Sequence, residues 1–332
     1  MINVLLVCGG GSSEHEISLK SAQHIFKVLK DIPEFNTYYM CIEKNSDRVD
    51  LEGRKCELRK SGILIREDLK DPINLHYVIP CIHGYPGETG DIQSLFDMMN
   101  LPYLGTGPEA SKICFNKVST KLWLDGIGLA NSPYIFLVNQ TEDCLLAAKQ
   151  FFAKNPDVFV KASNQGSSIG CYHVTQEEQL SATIKDAFKY SEYVLIEKTM
   201  KARELEVAVY EYQGKLHAVG PGEIKLSSDF YSFEEKYSES SKASVSFNVS
   251  DLSLTLKNEM HAMAKMAFEN LKLKDLARID FFLTAENELF INEINTFPGH
   301  TEISLFPKLL EASGVSYKEY IQDRILTNKR SS

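Results

Sequence analysis

Toward the C-terminal end of the chain, two segments of alternating apolar and polar residues, 278–283 and 289–295, flank a polar stretch with the composition of a turn. Such a pair specifies an antiparallel hairpin. A four-residue loop over 285–288 sets Thr284 against Leu289, and counting outward sets Asp280 against Glu293 and Arg278 against Asn295. Because side chains alternate between the two faces of a sheet, all four project from one face. Opposed Cβ atoms lie roughly 5 Å apart, where two like charges repel by about 3 kcal/mol at an effective dielectric of about 20. Three arrangements offset that repulsion: one carboxyl keeps its proton, Arg278 neutralises the pair, or a divalent cation sits between the oxygens. Oxygen donors alone favour magnesium, and two carboxylates with one amide leave positions open for substrate phosphates. A salt-bridge cluster of Arg278, Asp280 and Glu293 is the competing reading.

The first hundred residues alternate strand-like and helix-like patterns, at 4–7, 14–30, 37–42, 77–82 and 92–99, which predicts a parallel α/β domain. Pro and Gly density rises over 101–108, marking a boundary. A second region follows, with strands at 134–138 and 158–161, helices at 142–153 and 176–188, and the size of a mobile lid. From 193 the pattern becomes strand-rich, interrupted at 227–246 by a stretch of Ser, Glu and Lys and followed by a helix at 252–271. A chain of 332 residues accommodates such subdomains and a cleft between them.

Other classes are disfavoured. No apolar run is long enough to span a bilayer, and the short apolar start lacks a basic leader, so a cytoplasmic protein without a membrane role is expected. The seven cysteines are scattered and form no Cys-x-x-Cys pair, which reads as reduced thiols. With 36 basic and 45 acidic side chains the net charge is -9, and the dispersed basic residues argue against nucleic acid.

A loop, Asn164-Gln165-Gly166-Ser167-Ser168-Ile169-Gly170, follows the strand ending in Lys161, so backbone N–H groups, two hydroxyls and a lysine are placed to surround phosphates; an ordinary tight turn has the same composition. No Walker A sequence is present. Gly9-Gly10-Gly11 after a strand, with Glu43 further on, fits a dinucleotide-binding oxidoreductase, but Glu14 stands where the third glycine belongs. His15-Glu16-Ile17-Ser18-Leu19 lacks the second histidine of a zinc helix.

Arg278-Ile279-Asp280, then Asn292-Glu293-Ile294-Asn295-Thr296 and Pro298-Gly299, resemble the ATP-grasp D-alanine:D-alanine ligases. Similar stretches occur in order at 9–18, His83-Gly84, 161–170, 197–207 and Glu235-Lys236-Tyr237. The resemblance implies an α+β, three-subdomain ATP-grasp fold with an N-terminal parallel α/β domain at 1–107, a central lid at 108–196 and a C-terminal subdomain at 197–332 with a closing loop at 227–246. It implies ligation of two D-alanines through an acyl phosphate for peptidoglycan synthesis, with D-serine or D-lactate as alternative second substrates. ATP, two magnesium or manganese ions and a homodimer are expected.

By the same resemblance Asp280, Glu293 and Asn295 hold metal. Lys117, Lys161, Ser168 and Lys236 meet phosphate, Glu197 and Met200 the adenine, and Glu204 the ribose. Glu16 takes the ammonium of the first D-alanine in a network with Ser167 and Tyr237, beside His83. Arg278 and the Gly299 N–H stabilise the oxyanion, while Ser304 and Leu305 hold the second substrate's carboxylate. Ser304 also fits a helix N-cap. Ala162 departs from the proline frequent in the family, and 83–93 departs from its usual acidic glycine loop.

Overall fold

A computed structural model describes residues 1–225, 244–247 and 249–330. Its N-terminal sheet has β1 (Ile2–Gly9) in the centre, parallel to both β2 (Phe35–Ile42) and β7 (Tyr77–Cys81), with β3 (Arg48–Val49) antiparallel at one edge. Val4 to Cys8 are buried without alternation, as a strand covered on both faces requires. Helix α1 (His15–Lys30) covers one face through Ala22, Ile25 and Leu29. The sequence reading has no counterpart for the small antiparallel sheet of β4 (Cys56–Arg59), β5 (Ile63–Arg66) and β6 (Ile73–Asn74). These short strands carry too few alternating residues to declare a period. Helix α2 (Asp91–Met98) returns the chain to β7.

The second sheet is antiparallel, in the order β10 (Cys171–Val174), β9 (Val158–Ala162), β11 (Val194–Lys198), β8 (Tyr134–Leu137). Helices α5 (Glu142–Lys154) and α6 (Glu177–Ala187) pack on it through Ala148, Phe152, Leu180 and Ile184. The preceding helices α3 (Pro108–Phe115) and α4 (Lys117–Gly126) place Ala110, Cys114 and Leu124 in the core of the third sheet instead. That sheet is antiparallel, in the order β14 (Ser244–Ser246), β13 (Lys215–Lys225), β12 (Ala202–Tyr212), β15 (Leu276–Thr284), β16 (Leu289–Asn295). Its core also takes Met260 and Phe268 from α7 (Leu254–Asn270).

The chain closes with α8 (Leu305–Ala312) and α9 (Tyr317–Asn328), whose Phe306, Tyr320 and Ile321 share one core with Val4, Leu6 and Ile25. That shared core fixes the β1–α1 turn relative to the end of the third sheet. Among the described residues no helix is long and apolar enough to cross a membrane.

Candidate functional site

On the β15–β16 hairpin, Arg278 pairs with Asn295 and Asp280 with Glu293, as the counting predicted. The route differs. The turn occupies 284–288, one residue longer than expected, and Asn292 is an unpaired bulge between Ile291 and Glu293. The two offsets cancel, leaving the carboxylates opposed. Arg278 grips Asp280 with both ends of its fork, Nε to Oδ1 at 2.8 Å and Nη2 to Oδ2 at 2.7 Å, and its Nε also lies 2.9 Å from Glu206 Oε2. Burial disfavours the charge on Arg278, but Asp280 and Glu206 outweigh it and hold its pKa well above the ordinary value.

Asn295 Nδ2 donates to Asp280 Oδ2 at 3.1 Å and reaches Glu293 Oε1 at 3.5 Å. An amide hydrogen edge thus occupies the place where positive charge is wanted. A 180° amide turn presents Oδ1 there instead, and the donor set becomes two carboxylates and one amide oxygen. These residues fit a hard divalent cation. Both readings of the face have physical content: Arg278 binds Asp280, and the Glu293 charge favours the cationic forms of both Arg278 and Lys161.

The second sheet contributes a buried cation–anion triad. Glu197 on β11 accepts from Ser132 Oγ at 2.9 Å, lies 3.0 Å from Lys121 Nζ, and pairs through its other oxygen with Lys161. Burial alone pushes the Glu197 pKa up, but Lys161 and Lys121 reverse this and leave it far below the usual range. Burial also lowers Lys121, while Glu197 keeps Lys161 above its ordinary value against desolvation. Two ammonium groups against one carboxylate leave one net positive charge facing the cleft, suited to an anion. Lys117 Nζ donates to Gln165 O at 2.5 Å, joining α4 to the 164–170 loop. Within that loop Ser167 and Ser168 have φ values of 50° and 61°, consecutive left-handed residues in a turn that the Ile169 N–H closes onto the Gly166 carbonyl at 3.1 Å. Met200 and Glu204 are half-buried beyond β11, Glu204 on β12 two residues before Glu206.

At the β1–α1 turn the structure corrects one expectation. Ser167 Oγ donates to Glu14 Oε1 at 2.6 Å, whereas Glu16 is 70% exposed and faces Lys44 at 3.9 Å. Residues two apart at a helix start point about 200° apart, so only one of these acids can face the loop. Glu14 is the N-cap residue of α1. Its Oε2 lies so near Gly84 and Gly166 that a Cβ at either would come within 2.9 or 3.0 Å of it. The Ser167 network therefore runs through Glu14. Its third expected member, Tyr237, lies outside the described residues, as do Lys236 and all of the closing loop except 244–246, which form β14, and Phe247 beyond it.

Nearby, His83 Nε2 lies 3.0 Å from Ser21 Oγ, and burial pushes its pKa down to about 4, so the ring is neutral at physiological pH. Glu88 accepts from the Gly84 N–H at 2.7 Å, and burial with the Glu14 charge pushes it up to about 8. Ser21 also accepts from the His300 N–H at 3.3 Å, tying α1 to the 299–305 loop. Ser304 occupies the N-cap position of α8, but its hydroxyl makes no capping bond; it accepts from the Thr301 N–H at 3.1 Å and meets Thr301 Oγ1 at 2.7 Å. A Cβ at Gly299 would lie 2.9 Å from that hydroxyl, and Leu305 is buried beneath it. A cavity of about 480 Å³, lined by Ser12, Glu14, Gly84, Asn116, Gln165 and Gly166, separates the β1–α1 turn from the phosphate-type loop.

Glu14, Glu88, Lys121, Ser132 and Glu206 were not among the residues expected from sequence. Lys121 follows Lys117 by one helical turn, and Glu206 follows Glu204 by one strand repeat, so both had a periodic signal. Glu14 and Glu88 had none beyond their proximity to glycines.

Family profiles match nearly the whole chain: one described as D-ala D-ala ligase N-terminus matches residues 3–106, and one described as D-ala D-ala ligase C-terminus matches 123–327. A D-alanine–D-alanine ligase of Aeromonas salmonicida is 51% identical over 97% of this chain and 97% of its own length. One of Shewanella sp. strain W3-18-1 is 47% identical over 100% and 98%. Among solved structures, D-alanyl-alanine synthetase A from Vibrio cholerae superposes with a TM-score of 0.93 at 45% identity, covering 98% of each chain.

Proposed function

The chain belongs to the D-alanine–D-alanine ligase family, and on that premise we propose how its residues divide the work of the reaction. It has the α+β ATP-grasp fold and joins two D-alanines to D-alanyl-D-alanine with ATP, a step of peptidoglycan synthesis. ATP and a divalent metal ion are what the family uses. Our finer reading is magnesium, with manganese as a substitute, and two ions, held by Asp280, Glu293 and Asn295. Bound there, a divalent ion supplies charge neutralisation to the phosphoryl oxygens.

The observation that carries the proposal is the convergence on one cleft of the Arg278–Asp280–Glu293–Asn295 face, the Lys121–Glu197–Lys161 triad and Glu14. In the first step a D-alanine carboxylate attacks the γ-phosphorus, releasing ADP and leaving an acyl phosphate. Lys117, Lys161 and Ser168 orient the phosphates, Glu197 and Met200 offer backbone groups to the adenine, and Glu204 takes the ribose hydroxyls. Glu14, with Ser167, receives the first ammonium in place of Glu16. In the second step another D-alanine amine attacks the acyl carbon and phosphate leaves. Arg278 and the Gly299 N–H meet the oxyanion, while Ser304 and the Leu305 backbone hold the second carboxylate. Neutral His83 lines the first subsite. Lys236 and Tyr237 complete the proposal as the closing loop that keeps water from the acyl phosphate.

The division at 1–107, 108–196 and 197–332 belongs to the same reading and has one large sheet in each part, although α3 and α4 pack on the third sheet; a homodimer and a cytoplasmic location are further parts of the proposal. With purified protein, magnesium, ATP and D-alanine, ADP and phosphate should appear in step with dipeptide; ATP turnover indifferent to D-alanine would defeat the proposal.

A further inference from the structure

Beyond the ligase site, Glu43 lies just after β2 and has no part in the reaction proposed above. Its carboxylate, the Cys41 thiol and the His15 imidazole bring one ligand atom each to within 4.8 Å of one another. His15 and Cys41 are buried and Glu43 is half-buried. The approach depends on Gly9: a Cβ there would lie 3.0 Å from Cys41 Sγ and 3.2 Å from His15 Cε1. His15 Nδ1 lies 2.8 Å from the Gly10 carbonyl, which fixes the proton on Nδ1 and leaves the Nε2 lone pair available. Metal-binding histidines are oriented by this kind of backbone contact.

We propose that His15, Cys41 and Glu43 form a second metal site, for a borderline-soft divalent cation of the zinc class. Tetrahedral zinc places N, S and O donors roughly 3.3–3.8 Å apart, so the three atoms need to close by about 1 Å. Thiolate and carboxylate charges balance a divalent ion, which suits a site this buried. Binding forms the S–metal bond and releases the Cys41 thiol proton to solvent, so affinity rises with pH. Cys8, beside Cys41 in the sheet register, donates to Tyr39 Oη at 2.9 Å and is not counted among the ligands. Softness separates this site from Asp280, Glu293 and Asn295, whose oxygens prefer magnesium.

The consequence is inhibitory. His15 opens α1 immediately after Glu14, so drawing its ring toward Cys41 shifts the carboxylate that holds Ser167. Cobalt(II) titration of the full chain tests the site. One equivalent should produce a near-ultraviolet thiolate-to-cobalt charge-transfer band, displaced by zinc, absent in Cys41→Ser and requiring at least tenfold more metal in Glu43→Gln. At saturating magnesium, zinc should inhibit wild type at concentrations at least tenfold below those needed for Cys41→Ser. An oxygen-only site gives no such band. Absence of the band, or an undiminished band in natively folded Cys41→Ser, overturns the proposal; should that variant misfold, Glu43→Gln decides by the same band.

Discussion

The β15–β16 hairpin and the β1–α1 turn both bring acids to the same cleft, but by different kinds of order. On the hairpin, position is set by pairing: once Arg278 faces Asn295, Asp280 must face Glu293 and share its side of the sheet. At the turn, position is set by the point at which helical dihedrals begin, and a shift of one or two residues sends a carboxylate to solvent. Glu14 and Glu16 differ in just this way, one bonded to Ser167 and the other 70% exposed. Ladders therefore transmit register over several residues, whereas a helix start is decided locally.

The largest test of this contrast lies on the hairpin. Arg278→Lys keeps a charge but loses the planar fork that holds Asp280 and that, in the proposed second step, meets the oxyanion. We expect kcat to fall by about 10²–10³, the cost of one oxyanion donor, with the fold retained. A fall of less than tenfold in steady-state turnover would remove Arg278 from the second step. Glu293→Gln comes next: the metal concentration giving half-maximal turnover should rise by at least about tenfold to a hundredfold. Wild-type metal dependence in that variant would assign the face to salt bridging alone.

The turn is tested by a pair of variants. Glu14→Gln removes a charged hydrogen-bond acceptor worth about 1.5–3 kcal/mol, so the KM for D-alanine should rise about 10- to 150-fold. Glu16→Gln breaks only an exposed pair and should stay within about twofold of wild type. Reversed effects in initial-rate assays would restore Glu16 to the substrate and reduce the Glu14–Ser167 bond to a structural contact.

Much of the fold was legible because its strands and helices declare their period: the parallel alternation before residue 100, the lid elements and the hairpin all appear near their expected places. Two features had no such signal. The Asn292 bulge and the longer turn are each a one-residue irregularity, and the Asp280–Glu293 pairing survived because they offset one another. At the site, Lys161 and Glu197 could be expected from strand ends and resemblance, but that they bind each other, with Lys121 as a third partner, depends on how β9, β11 and α4 meet. Ser132 meets Glu197 from a loop before β8 and Glu88 takes the Gly84 N–H inside a turn, and neither contact is announced by a local period.

The smallest effect concerns the turn's surroundings rather than turnover. Glu88 has its pKa raised from 4.5 to about 8, by burial first and Glu14 second, so the folded chain keeps a proton that the unfolded chain releases. Where the folded state binds more protons, stability declines as pH rises. His83 acts oppositely: burial lowers it from 6.5 to about 4, and its contribution is lost as pH falls through that interval. Asp275, raised to about 6 by burial, finishes titrating near the same upper limit. Glu88 therefore dominates between about pH 6.5 and 8, where wild type should lose stability with rising pH. Glu88→Gln, which cannot ionise, should flatten that decline. Urea midpoints at the two ends of the window measure it, and an equal decline in both proteins would mean that Glu88 does not hold its proton beside Glu14.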